Sequence, residues 1–146
     1  MNGAAVSEWP HMTSLTRSVA VLALVAALAA PVALAAGNGT YKGKITGNTD
    51  VKVKVKNNRV TKFTTSIYAS CGLSNFIITV AYPPAGQKGK SAKIKRNGRF
   101  KAVFKGSPDV EDDKRTIKGK FNGSKVTGSV KVEGLCSADG TYTAKR

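Results

Sequence analysis

The chain has 146 residues, of which 24 are Lys or Arg and 8 are Asp or Glu, giving a formal net charge of +16. Its single His, its only Trp and both Met lie within the first 12 residues. If that segment is removed, sites built on Ser-His-Asp, Cys-His or His-ligated zinc cannot form in the remainder, whose length fits one domain.

Residues 1–35 are predicted to be a signal peptide. Arg17 precedes an uncharged run from Val19 to Ala36, and Ala33-Leu34-Ala35 has the small-x-small pattern read by signal peptidase. We expect translation to start at Met12, cleavage after Ala35, and a secreted or extracytoplasmic domain over residues 36–146. The alternative is a membrane tether, because an uncleaved Val19 to Ala36 run approaches the roughly 20 residues of a span.

Alternating apolar and polar residues then predict strands almost to the C-terminus. Val51, Val53 and Val55 alternate with lysines, which is the period of a strand with one buried and one wet face. The same period predicts further inward rows: Tyr41 to Ile45, Phe76 to Tyr82, Ala92 with Ile94, Phe100 to Phe104, Ile117 to Phe121, Val126 to Val132, and Tyr142 with Ala144. About nine short strands follow, and no helical periodicity is seen after the leader.

Turn residues separate these rows. Asn57-Asn58 predicts a hairpin with Val55 opposite Val60, and the slipped alternation between Val60 and Phe63 predicts a β-bulge. Asn97-Gly98 predicts a three-residue loop that places Ile94 opposite Phe100, and Asn122-Gly123 predicts another hairpin.

The predicted fold is all-β: a small antiparallel up-and-down β-barrel of about eight or nine strands, with a β-sandwich as the alternative. Gly39-Thr40-Tyr41 and Gly140-Thr141-Tyr142 are matched segments expected to pair and close the barrel. Cys71 and Cys136 are the only cysteines, and in an oxidising compartment they are expected to form one disulfide.

Several short motifs resemble a group of small secreted bacterial β-domains that have no assigned activity. These motifs are Gly39-Thr-Tyr-x-Gly43, a Cys after the third strand, Ile117-Lys-Gly-Lys-Phe121, the late Cys136 and the terminal Tyr142-Thr-Ala-Lys-Arg146. The resemblance implies an exported β-domain and assigns no functional residues.

Neither catalysis nor a cofactor is expected. The acidic run Asp109, Glu111, Asp112 and Asp113 suggests a calcium loop, but Lys114 stands where that loop needs Gly and Lys120 where it needs Glu. We therefore interpret the run as a solvated turn, and we predict neither a metal site nor an enzyme.

The positive charge is the feature that could specify a partner. Seven bases and no acid fall between residues 88 and 101, on a predicted hairpin; these anion-binding candidates are Lys88, Lys90, Lys93, Lys95, Arg96, Arg99 and Lys101. Such a cluster attracts polyanions, although lysines also keep strand edges soluble. Anionic wall polymer or an anionic membrane surface is the expected partner, and nucleic acid is not expected for an exported protein.

The alternative function is a lipocalin-like carrier that holds a small apolar ligand inside the barrel. Its lining would come from the aromatic residues Tyr41, Phe76, Tyr82, Phe100, Phe104, Phe121 and Tyr142. Because an eight-stranded barrel can equally be filled by its own side chains, a packed interior is favoured.

Overall fold

The computed structural model describes residues 36–106 and 113–146. The predicted leader, including Met12 and the cleavage point, lies outside these ranges, as do Asp109, Glu111 and Asp112. Nine strands are present: β1 Gly39–Ile45, β2 Thr49–Lys56, β3 Arg59–Cys71, β4 Ser74–Tyr82, β5 Ala92–Lys93, β6 Arg99–Lys105, β7 Lys114–Asn122, β8 Lys125–Glu133 and β9 Ala138–Lys145.

All nine strands belong to one curled antiparallel sheet that forms a half-barrel. Its strand order is β4-β3-β2-β1-β9-β8-β7-β6, with β5 attached to β3. The predicted all-β class, strand number and antiparallel arrangement are confirmed, and the single sheet favours the barrel over the sandwich. The predicted pairing of the first and last strands also occurs, with Ile45 opposite Tyr142.

Contrary to the prediction, the pairing of the first and last strands does not close the barrel, because the sheet is open between two other strands. Strands β1 and β9 meet in the middle of the sheet, and β4 and β6 form its two edges. Side chains bridge this seam: the rings of Tyr82 and Phe104 have centroids 5.3 Å apart, and Arg115 Nη1 donates to the Thr79 carbonyl at 2.8 Å.

The β2–β3 hairpin has the predicted register. Asn57 and Asn58 both have positive φ (51° and 55°), which matches the right-handed twist of the flanking strands. Val55 faces Val60, and the register shifts beside this pair because Lys54 faces Lys62, leaving Thr61 as the bulged residue. Both predictions for this hairpin are confirmed.

The β5–β6 turn has the predicted three-residue loop, but the strand before it pairs with a strand that the sequence did not indicate. Gly98 has the expected positive φ of 75°, and the Lys95 amide donates to the Arg99 carbonyl at 2.8 Å. However, β5 pairs with β3, where Ala92 faces Val60. The cause is the β2–β3 turn, because Asn58 exchanges hydrogen bonds of 3.1 Å with the backbone of Ile94 through its carbonyl and its side-chain amide.

Aromatic rings fill the interior. Tyr41 packs edge-on to Phe121 at 5.2 Å, and Phe63 packs similarly against Tyr142 at 5.3 Å. The prediction that Phe76 points into the core is wrong, because this residue is 56% exposed. That position lies opposite Ala69 near the end of the β3–β4 hairpin, away from the aromatic pairs.

The predicted disulfide is present. Cys71 and Cys136 are bonded, with their Cα atoms 4.2 Å apart. The backbones of Ser70 and Ser137 exchange two hydrogen bonds beside it, at 2.9 and 2.8 Å. The end of β3 is thereby joined to the β8–β9 loop, and a formed disulfide of this kind indicates an oxidising compartment.

Candidate anion-binding surface

The outer face of the curled sheet carries lysines because of the strand period. Alternate residues of β2 read exposed and buried, so Val51, Val53 and Val55 enter the core while Lys52 and Lys54 stay in solvent. Strands β1, β6, β7, β8 and β9 follow the same pattern. The alternation that builds the core therefore also builds a basic exterior.

Pairing register brings four of these lysines into one line across the sheet. Lys125 faces Lys145, Lys145 faces Lys42, and Lys42 faces Lys52. We call these four exposed residues the lysine row; it crosses β8, β9, β1 and β2. With neighbouring strands about 4.8 Å apart, the row spans roughly 15 Å.

Beyond β8, the same exterior continues onto β6 and β7. Arg99 faces Lys120, and Lys101 faces Lys118. Together with the lysine row, these four residues form what we call the basic face. Exposed hydroxyl groups lie between its charges, where Thr127 faces Thr143.

The predicted hairpin bases are all exposed, but they do not form one hairpin. Arg99 and Lys101 belong to the basic face. Lys93 instead faces Arg59 across the β3–β5 pair, and Arg59 also donates to Ser91 Oγ at 2.6 Å. The remaining bases lie outside the strands, in the β4–β5 connection and the β5–β6 turn: Lys88, Lys90, Lys95 and Arg96.

Acidic residues lie at the opposite end of the strands. Asp50, Asp113, Glu133 and Asp139 all lie beside the β1–β2, β6–β7 or β8–β9 connections, at the end that holds the disulfide. Three are paired: Asp50 with Lys44 at 2.8 Å, Asp113 with Arg115 at 2.8 Å, and Glu133 with Lys131 at 2.7 Å. The opposite strand ends, which carry Lys125 and Lys145, have no acid among the described residues.

The exposed ion pairs shift the pKa values of their members in the expected directions. A hydrogen bond from Lys44 lowers the pKa of Asp50, and one from Lys131 lowers that of Glu133. The Glu133 hydrogen bond in turn raises the pKa of Lys131. These carboxylates are thus ionised at neutral pH. Lys52 of the lysine row also lowers the pKa of Asp50, and Lys118 of the basic face lowers that of Glu133, so these two bases are partly compensated.

Rows of like charge are unfavourable for folding on their own. Like charges directly opposite each other on neighbouring strands destabilise a sheet, and Lys42 has such a neighbour on each side. A bound polyanion would remove that repulsion and release counterions. Lysine ammonium groups suit this role, since they attract anions without a fixed bidentate geometry.

A separate groove of about 470 Å³ lies at the seam between β4 and β6. Its lining includes Tyr82, Val103 and Phe104, with Lys90 and Lys105 beside them. This groove is open to solvent. Most rings that would line an internal carrier cavity pack against one another instead, as in the 5.6 Å pair of Phe100 and Phe121.

The sequence prediction did not include the lysine row. Lys42 and Lys145 are more than one hundred positions apart, and their pairing depends on the β1–β9 register. The matched Gly-Thr-Tyr segments correctly indicated that β1 and β9 pair, and they were the one feature of the sequence that could have indicated the lysine row.

Within residues 36–106 and 113–146, no helix is long and apolar enough to cross a membrane. The same residues contain no group of three or more His, Cys, Asp or Glu side chains that could hold a metal ion.

Comparison of the chain with protein-family models, with curated proteins and with solved structures gave no match.

Proposed function

We propose that this protein is a non-catalytic binding domain of the extracytoplasmic space whose basic face holds an anionic polymer. The observation that carries the proposal is the lysine row, in which Lys125, Lys145, Lys42 and Lys52 face one another on four consecutive strands. Solubility alone would be served by lysines staggered between strands, without the cost of direct opposition.

The curvature of the sheet favours a polymer over a flat anionic membrane. The basic face runs over six strands of a half-barrel, from β6 through β7, β8, β9 and β1 to β2. A flat surface would touch part of this curved exterior, whereas a flexible chain can follow it. Hydroxyl groups such as those of Thr127 and Thr143 can donate hydrogen bonds to phosphate, sulfate or sugar oxygens between the lysines.

The compartment determines which polyanions are relevant. A disulfide indicates an oxidising environment, so acidic polymers of the cell wall are the proposed physiological class and nucleic acid is not. Binding should be electrostatic and should weaken steeply with salt.

The test compares charge reversals at matched positions. Lys42, Lys52, Lys125 and Lys145 are changed together to Glu, and retention on immobilised heparin and on a wall-derived anionic polymer is measured over a salt gradient. We expect the wild type to elute well above physiological salt and this variant to lose retention. The matched control reverses Lys44, Lys105, Lys114 and Lys131 at the disulfide end, with the same change in net charge.

Two further results discriminate between readings. Reversal of Lys93, Lys95, Arg96 and Arg99 should weaken retention less than reversal of the lysine row, because only Arg99 belongs to the basic face. If the control variant loses as much retention as the lysine-row variant, binding follows net charge alone and the proposed site is wrong. Stronger binding to anionic vesicles than to polymer would assign the face to a membrane instead.

A further inference from the structure

The end of the molecule opposite the basic half exposes large apolar side chains. Leu73 is fully exposed and Leu135 is 80% exposed, and these are the only two leucines in residues 36–146. Farther back along the β3–β4 hairpin, Phe76, Tyr68 and Ile77 are each more than half exposed, and Ile77 lines a groove together with Lys44, Asp50 and Lys52. We call these five residues the apolar tip.

The disulfide holds the two leucines at one place. Leu73 is two residues from Cys71, and Leu135 directly precedes Cys136. The disulfide, with its Cα atoms 4.2 Å apart, therefore holds the two loops that carry these leucines next to each other. The two backbone hydrogen bonds between Ser70 and Ser137 stiffen the same junction. The tip is therefore preorganised, and binding through it would cost little conformational entropy.

Charge is absent from the segment that carries most of the tip. Residues 64–82 contain no Lys, Arg, Asp or Glu, and β4 is the one described strand without a basic residue. Natural edge strands are commonly protected by lysine, yet β4 is an edge strand with Phe76 and Ile77 exposed. The neighbouring acids Asp50 and Glu133 are neutralised by Lys44 and Lys131.

From this arrangement we infer that the apolar tip inserts into the interfacial region of a lipid bilayer. Two projecting leucines from separate loops form a convex apolar end that a fluid bilayer can accept without shape complementarity. Tyr68 lies directly opposite Ile77 behind them, and aromatic side chains favour the membrane–water interface. An uncharged hairpin can enter this region without the cost of burying ionised groups.

This interaction is independent of the proposed polymer binding and differs from it in physical character. Insertion should occur with neutral lipid and persist in high salt, whereas binding by the basic face requires anions and is screened.

The experiment places a single fluorescent Trp at either end of the full, oxidised chain. In a Trp9→Phe background, Leu73→Trp puts the probe at the tip, and Ser124→Trp puts it in the exposed β7–β8 turn at the opposite end. Both chains keep the same N-terminal segment, so any anchoring by that segment is common to the two. Emission is followed with phosphatidylcholine vesicles at about 0.15 M and about 1 M salt.

We expect Trp at position 73 to shift to the blue and to be quenched by brominated lipid at both salt concentrations, while Trp at position 124 stays solvent-exposed. A second variant carries Leu135→Ser together with the Leu73→Trp probe, and brominated lipid should quench its Trp less, because one of the two inserting leucine positions is lost. Its heparin retention should be unchanged, which separates this proposal from the polymer proposal.

Any of three probe results would overturn the inference. The Trp at position 73 could remain in water with neutral vesicles, Trp at position 124 could be the shielded probe, or the response could require anionic lipid and disappear at high salt. Unchanged quenching after Leu135→Ser would also contradict it, because an exposed leucine can be replaced without unfolding the domain.

Discussion

Gly128 and Gly119 face each other across β7 and β8, and Tyr142 lies opposite Gly128 on β9. A Cβ atom added at Gly128 would lie 2.7 Å from the Tyr142 hydroxyl, and one at Gly119 would lie 2.4 Å from Phe100. The two glycines thus leave the volume that the aromatic rings occupy. The phenol completes the packing by donating to the Lys118 carbonyl at 3.1 Å.

Gly128→Ala is therefore expected to destabilise the fold by about 1–3 kcal/mol, because the ring and the facing backbone must move. Urea unfolding measures this, with Thr127→Ala on the exposed face of the same strand as the control. An unchanged midpoint for Gly128→Ala would show that the interior has free space, and would favour the carrier alternative.

Tyr142 also gives the fold a pH dependence. Burial raises the pKa of its phenol above the ordinary value of 10.0, so the unfolded chain ionises first as the pH rises. The stability contributed by the neutral phenol is present below about pH 10 and is lost progressively above it.

Tyr142→Phe removes this titration, together with one hydrogen bond worth about 1 kcal/mol. We expect the variant to be less stable at neutral pH but to lose less stability than the wild type between about pH 9 and about pH 11. Urea unfolding at a series of pH values tests this, since lysine titration is common to both proteins. Parallel declines would contradict the assignment.

At the scale of strands, the register aligns alternating lysines into the proposed binding surface. Lys42 faces Lys52 on β2 and Lys145 on β9, so a single substitution changes two like-charge contacts. Lys42→Glu should stabilise the isolated domain by about 0.5–1 kcal/mol while weakening polyanion binding.

Urea unfolding and heparin retention, measured on the same variant, check that its stability rises while its polyanion binding falls. Lys88→Glu is the matched control: it makes the same charge change in the β4–β5 connection, outside the strand pairs. If Lys42→Glu destabilised the fold or left retention intact, the lysine row would not be the strained, polymer-binding element that we propose.

The disulfide acts on the β3–β4 hairpin and the β8–β9 loop together. Cys71 and Cys136 are 65 positions apart, so replacing both with Ser should cost about 4 kcal/mol in the chain-entropy model. Urea unfolding of the oxidised wild type and the double variant measures the difference. A change below about 1 kcal/mol would mean that the sheet alone holds these segments together.

At the scale of the whole molecule, the sequence predicted the features that depend on local order. Val51 to Val55 gave a strand, Asn57-Asn58 gave a hairpin with its register, and the slip near Thr61 gave a bulge, since each depends on adjacent residues. The pairing of β5 with β3 was not predicted, because it depends on hydrogen bonds from the side chain and carbonyl of the distant Asn58. Phe76 follows the inward alternation of β4, but its position near the end of the hairpin leaves it exposed.

The candidate site was predicted only in part for the same reason. Arg99 and Lys101 are adjacent in the sequence to the other hairpin bases and were identified, but the lysine row needs the β1–β9 and β8–β9 registers. The alternation of apolar and polar residues also could not predict how charge is distributed along the strands. The acids lie at the disulfide end, three of them in ion pairs, and bases such as Lys125 and Lys145 lie at the other end. That separation defines two ends with different proposed partners.

The most direct test of the central proposal is a map of backbone amide shifts when a short polyphosphate is added to isotopically labelled protein. We predict that shifts concentrate around Lys42, Lys52, Lys125 and Lys145, at the start of β8, the end of β9 and the middle of β1 and β2, and that they fade as salt is raised. Shifts centred on the disulfide end, or spread evenly over every exposed lysine, would contradict it.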